Sequence, residues 1–171
     1  TPDGRRVYVS LRDENKVAVI DTTARQVIAR IEVGRSPIQV HATPDGRFVY
    51  IANQGTETEP DDTVSVVNTA SGKVVKTIQT GKGAHGVTVS RDGAFVFVTN
   101  IVDGTVSEIS VATQSLVRTH EVGEGPSLQA IYEQYHAFVW RVAQRLGVGR
   151  WGGHLWPCVC QAIPDPAHGH G

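Results

Sequence analysis

Pro44-Asp45-Gly46-Arg47-Phe48-Val49-Tyr50-Ile51-Ala52-Asn53 decides the fold, because the chain carries it in three versions. Forty-two residues earlier, Pro2-Asp3-Gly4-Arg5 leads into Arg6-Val7-Tyr8-Val9-Ser10. Forty-seven residues later, Arg91-Asp92-Gly93 leads into Phe95-Val96-Phe97-Val98-Thr99-Asn100. An Asp-Gly pair suits a tight turn, since Gly accepts positive φ without steric cost. The β-branched and aromatic runs that follow read as strands.

Working outward, each copy is followed by further strand-like runs. The second is Val17-Ala18-Val19-Ile20-Asp21, Val64-Ser65-Val66-Val67-Asn68 and Val106-Ser107-Glu108-Ile109-Ser110. The third runs from Val27 to Gly34, Val74 to Gly81 and Leu116 to Gly123, and a fourth follows each terminal Gly, as in Pro37-Ile38-Gln39-Val40-His41. Val64 to Val106 and Gly81 to Gly123 both span 42 residues, whereas Gly34 to Gly81 spans 47. The five extra positions fall between Asn53 and Val64, as an insertion into a surface loop would. Four short strands per repeat predict antiparallel sheets. A sheet of that size buries its apolar faces only against neighbours, and radial stacking gives an all-β propeller. The expected units are 1–42, 43–89 and 90–127, about three blades. Propellers close with about 4–8, so the ring is incomplete.

Phe97-Val98-Thr99-Asn100 resembles the Tyr-Val-Thr-Asn signature of YVTN β-propeller repeats; Tyr50-Ile51-Ala52-Asn53 and Tyr8-Val9-Ser10-Leu11 are looser copies. The Pro-Asp-Gly turn and the Val-Gly-x-x-Pro step (Val33 to Pro37, Val122 to Pro126) are similar to that family as well. The resemblance covers residues 1–127. It implies a family diverse in role, including surface-layer proteins, secreted proteins and the propeller domains of haem-d1 nitrite reductases. It also implies an extracytoplasmic location: periplasmic, secreted or at the cell surface.

Composition narrows the function. Sixteen Lys and Arg against 17 Asp and Glu leave a net charge of −1, with no cationic field to hold nucleic acid. No run approaches the roughly 18 apolar residues of a membrane span. The chain has no Met, so a processed product or a piece of a longer reading frame is expected. The ring would then be completed by further blades of a parent chain, the favoured alternative, or by self-association.

The pattern stops near Ser127. All three Trp, both Cys and four of the seven His lie beyond it, and residues 128–171 contain no Thr, Ser, Lys or Asn. Two readings stay open. Leu128, Ile131, Tyr132, Tyr135, Phe138, Val139, Val142 and Leu146 form a helical stripe over 128–146, ended by Gly147 and followed by irregular chain. Alternatively, the coding frame slips near Ser127 and the tail carries no function.

Four candidate sites follow. His85, between glycines in Gly83-Ala84-His85-Gly86, leads into an innermost strand near the axial mouth. A haem or metal ligand there competes with an ordinary loop histidine. The resemblance implies the ligand role, since related redox propellers place His ligands around such a mouth. The aligned residues Ile38 and Ser127 form no histidine ring. The inserted loop carries Glu57, Glu59, Asp61 and Asp62, hard oxygens of the kind Ca²⁺ takes, but without the order of a calcium loop. A solvated acidic loop is the better expectation. Cys158-Val159-Cys160 with His154, His168 and His170 offers soft-metal ligands, although the thiols are closer than zinc pairs usually stand. Glu108 and His120 replace residues that are apolar in the other repeats, and the hairpin register places Glu108 opposite Arg118.

No Gly-x-Ser-x-Gly, P-loop or His-Glu-x-x-His is present. The leading expectation is a non-catalytic binding scaffold that offers loops and axial mouth to a protein, glycan or small ligand, without a cofactor. The competing expectations are the propeller domain of a periplasmic redox enzyme, with haem or metal on His85, and a structural cell-surface protein.

Overall fold

The computed structural model describes residues 1–123. The fourth strand of the last repeat, the 128–146 stripe, the Cys158/Cys160 group and the tail boundary all lie outside these residues.

Eleven strands form among the described residues: β1 (Arg6–Leu11), β2 (Lys16–Asp21), β3 (Gln26–Glu32), β4 (Pro37–Ala42), β5 (Phe48–Gly55), β6 (Pro60–Asn68), β7 (Lys73–Gln79), β8 (Ala84–Val89), β9 (Phe95–Asn100), β10 (Thr105–Ser110) and β11 (Ser115–Glu121). A short 3-10 turn at Arg12–Glu14 joins β1 to β2. The strands make three antiparallel sheets, ordered β1-β2-β3, β4-β5-β6-β7 and β8-β9-β10-β11. None closes on itself, so this is an incomplete propeller. The sheets are offset by one strand from the sequence units. The strand that ends each repeat becomes the innermost strand of the next sheet, so β4 opens the second sheet and β8 the third, while the first sheet has three strands.

The turn read from sequence is built the same way each time. Thr1, Thr43 and Ser90 each donate a hydroxyl to the turn Asp, and each accepts the backbone N–H of the residue that starts or precedes the next strand. Gly4, Gly46 and Gly93 take φ of 70°, 71° and 72°, where a side chain would be strained.

The middle sheet is covered on both faces along β5 and the later half of β6, which explains why those stretches are apolar almost throughout. Tyr50, Ala52, Val64, Val66 and Ile78 pack on Ala84, Val87, Val96, Val98 and Ile109 of the third sheet. Val49, Ile51 and Val67 pack on Tyr8, Val17, Val19 and Ile31 of the first. Each such side chain, fully buried, contributes about 1.5–3 kcal/mol. The outer face of the first sheet has no such cover: Val7 and Val9, counterparts of the buried Val49 and Ile51, are 46% and 38% exposed.

The hairpin register agrees with the sequence reading at Glu108, which stands opposite Arg118, and at Val19, opposite Ala29. Asp21 pairs with Gln26 instead of Val27, and a bulge between Val19 and Ile20 restores the register. The same bulge recurs in the other two sheets, at Val66/Val67 and Glu108/Ile109.

Candidate functional site

One end of the stacked sheets gathers the candidate residues. β5 and β9 reach it at Asn53 and Asn100, and β4 and β8 begin there. Asn53 donates its side-chain N–H groups to Thr63 and Ser65, both at 3.0 Å, and Asn100 donates to Thr105 and Ser107 at 2.8 and 2.9 Å. Both amides are buried. They tie the second strand of each sheet to the third, and Gly34 and Gly81 lie against them with no room for a Cβ.

The loops at this end link neighbouring sheets. Asp61 accepts the Arg35 N–H at 2.8 Å, and Asp103 accepts the Lys82 N–H at 2.8 Å. Each carboxylate thus holds the segment that enters its own sheet. Asn15 accepts the Ser36 N–H at 2.9 Å. Asp61 also takes the Thr63 N–H and hydroxyl, Glu59 pairs with Arg35, and Asp62 accepts from Gln79. Three of the four acidic residues of the inserted loop therefore hold protein groups. Glu57 lies exposed on the same loop. Among the described residues no three His, Cys, Asp or Glu side chains gather as a metal ion would need.

His85 is the second residue of β8 and partly exposed. Burial lowers its pKa, and the Arg12 guanidinium pushes it further the same way. Arg12 lies in the turn that joins β1 to β2, and its charge acts on His85 of the third sheet. Further along β8, Gln39 of β4 accepts the Val87 N–H at 2.8 Å. His41 is held below its ordinary pKa by burial, opposed by a hydrogen bond with the Val87 backbone. Side chains from β4 thus bind the inner edge of β8. Ser10 does the same to β4, donating to the Ile38 carbonyl at 2.9 Å. A partly exposed imidazole that feels a guanidinium charge, on a strand whose Gly86 and Val87 N–H groups are already bonded, can hydrogen-bond a ligand and favour negative charge on it.

Arg12, Gln39 and His41 were not singled out from sequence. Gln39 and His41 could have been, as polar residues alternating inside a strand whose counterparts are apolar or small; Arg12 sits in a loop with no periodic signal. Glu108, opposite Arg118 in register, directs its carboxylate to His120 instead, at 2.8 Å. The diagonal partner lies on the same face, and the adjacent bulge turns the strands toward it.

No helix among the described residues is long and apolar enough to cross a membrane. No curated protein matches the chain by sequence. Solved structures do. One titled Kuenenia stuttgartiensis hydrazine synthase superposes with a TM-score of 0.66 at 27% identity, over 74% of this chain and 35% of that one. Another, titled dihydro-heme d1 dehydrogenase NirN in complex with DHE, gives 0.60 at 26% identity, over 70% and 24%. The chain therefore spans about a third and a quarter of these two neighbours. The similarity to haem-d1 type propellers read from sequence is upheld. The family model described as a YNCE-like β-propeller matches residues 2–155, and the chain belongs to that family.

Proposed function

We propose that the chain is a non-catalytic, extracytoplasmic binding module that receives a protein, glycan or small ligand at the inner-strand mouth around His85. The observation that carries this reading is the bonding of one inner strand to the next beside His85: Gln39 of β4 accepts the Val87 N–H of β8 at 2.8 Å, and Ser10 of β1 donates to the Ile38 carbonyl of β4 at 2.9 Å. Loop carboxylates at the same end tie the linking segments into a firm rim, and a preformed site loses less entropy on binding. The YVTN resemblance supports the extracytoplasmic assignment.

A second reading makes the chain part of a redox enzyme's propeller domain, with haem on His85. The two neighbours named for enzymes, one of them titled as a dihydro-heme d1 dehydrogenase, favour it. A histidine kept neutral has a free ring nitrogen for iron.

One titration separates the two. Haem, neutral glycans and anionic peptides are added in turn while the His85 ring and the Arg12 side chain are followed by NMR. The binding-module reading expects saturable shifts at both residues with a peptide or glycan, and no haem absorbance band that depends on His85. Such a band, lost in His85→Ala, establishes the second reading. Shifts confined to other parts of the surface overturn both.

A further inference from the structure

We propose that one extra residue in the outermost strand of each sheet guards the outer wall: it keeps β3, β7 and β11 from accepting a strand of another molecule. Among the described residues these strands pair on one side only, β3 with β2, β7 with β6 and β11 with β10. An edge of that kind presents unpaired backbone donors and acceptors to any passing strand.

The hazard is written into the strands themselves. Ile28, Val75 and Val117 are 52%, 48% and 53% exposed, and Val27 and Leu116 lie exposed beside two of them. Apolar, β-branched side chains in a row on an open edge make a template for aggregation.

The guard sits at the same residues. Val19 faces Ala29 and Ile20 faces Val27, which leaves Ile28 with no residue opposite. Val75 is left over in the same way between Val74 and Lys76, and Val117 between Leu116 and Arg118. Ile28 to Val75 spans 47 residues and Val75 to Val117 spans 42, the spacings of Gly34, Gly81 and Gly123. Three strands of different sequence thus place the extra residue at one structural position. A bulge leaves that residue unpaired, breaks the ladder and sharpens the local twist, so a flat strand cannot run along it.

Charge acts in the same direction. Apart from Glu32 and Glu121, the Asp, Glu, Lys and Arg residues of these strands are all cations: Arg30, Lys73, Lys76 and Arg118, each exposed. Two such edges brought together oppose like charges. The inner strands are covered by a different route, since Ser10 holds the Ile38 carbonyl and Gln39 the Val87 N–H.

Deletion of Val75 tests this, because it sets Val74 opposite Val67 and Lys76 opposite Val66 in an unbroken ladder. The parent chain, the deletion variant and Val75→Lys are compared by analytical ultracentrifugation and amide exchange over one range of concentrations. The deletion variant is expected to keep its strand content by circular dichroism and to gain at least one further 18.4 kDa chain over the parent. Its outward β7 amides become protected as it does so. Val75→Lys keeps the extra residue and is expected to hold the parent's mass. Deletion of Ile28 or Val117 repeats the test on the other two sheets. Three results overturn the proposal: a folded deletion variant with the parent's mass, outward β7 amides whose protection grows with concentration in the parent, or unfolding of all three deletion variants.

Discussion

A Cβ placed on Gly81 would stand 2.8 Å from the side-chain nitrogen of Asn100. That nitrogen is fixed by the Thr105 and Ser107 hydroxyls, so it cannot withdraw without losing both bonds. Gly34 bears the same relation to Asn53. The glycine that follows the last strand of one sheet and the amide near the end of the second strand of the next form one joint, made twice.

Gly81→Ala is accordingly expected to destabilise the protein by about 1–3 kcal/mol, as overpacking does. Asn100→Ala alone costs a similar amount, about 1–3 kcal/mol, by leaving buried hydroxyls without their donor. The two changes together cost less than their sum, because the clash needs the amide. Urea melts of the four proteins in a double-mutant cycle measure the coupling; strict additivity would mean that the two residues do not touch.

Tyr50 is buried and its hydroxyl has no partner among the described residues. Burial, helped by the Asp45 charge, pushes its pKa up to about 12. Tyr50→Phe removes a polar group that gains nothing, and Phe97 already occupies the corresponding place in the third sheet. Stability is expected to stay level or to rise by about 1 kcal/mol, read from the melting midpoint.

Glu108 and His120 stand where the first two sheets have Val19 and Val66, and Ile31 and Ile78. His120→Ile alone leaves the Glu108 carboxylate without its partner and costs about 1–3 kcal/mol. Glu108→Val with His120→Ile restores the apolar pattern and recovers that loss. Thermal melts of the single and double variants report it.

Stability is expected to fall as pH drops below about 6.5, the ordinary histidine value from which His41 and His85 are both lowered. With the folded pKa below the unfolded one, the unfolded chain takes up protons first, so stability is full above that pH and declines toward the folded values. A second decline starts below the ordinary carboxylate value of 3.8, because the Thr43 hydroxyl and then the Arg47 N–H hold the Asp45 pKa down. That contribution is present above pH 3.8 and lost beneath it. Replacing His41 by Thr and His85 by Ile, the residues at the corresponding places Thr88 and Ile38, is expected to flatten the first decline and leave the second. Urea midpoints measured against pH check both.

Much of the fold is legible because a sheet buried on both faces writes itself as continuous Val, Ile and Tyr, and because the Asp-Gly turns repeat with it. What one period cannot show is which sheet a strand joins. Pro37–Ala42 ends a repeat in sequence yet opens the next sheet, since pairing partners depend on how the chain turns at Gly34. The bulges were hidden for a similar reason: they shift register by one residue without altering the apolar pattern. At the site, His85 stood out by interrupting a position held by Ile38. Gln39 and His41 act on Val87, 48 and 46 residues away, and Arg12 acts across two sheets. Such partnerships come from the angle at which sheets stack, which local sequence does not carry.

The NMR titration of the His85 ring tests the site most directly, because it needs no ligand. With burial first and the Arg12 charge second holding it down, the ring titrates below 6.5, and Arg12→Ala raises its midpoint. An ordinary midpoint in the unaltered protein, or one that Arg12→Ala leaves in place, would contradict the buried, Arg12-influenced setting of His85 on which the proposed site stands.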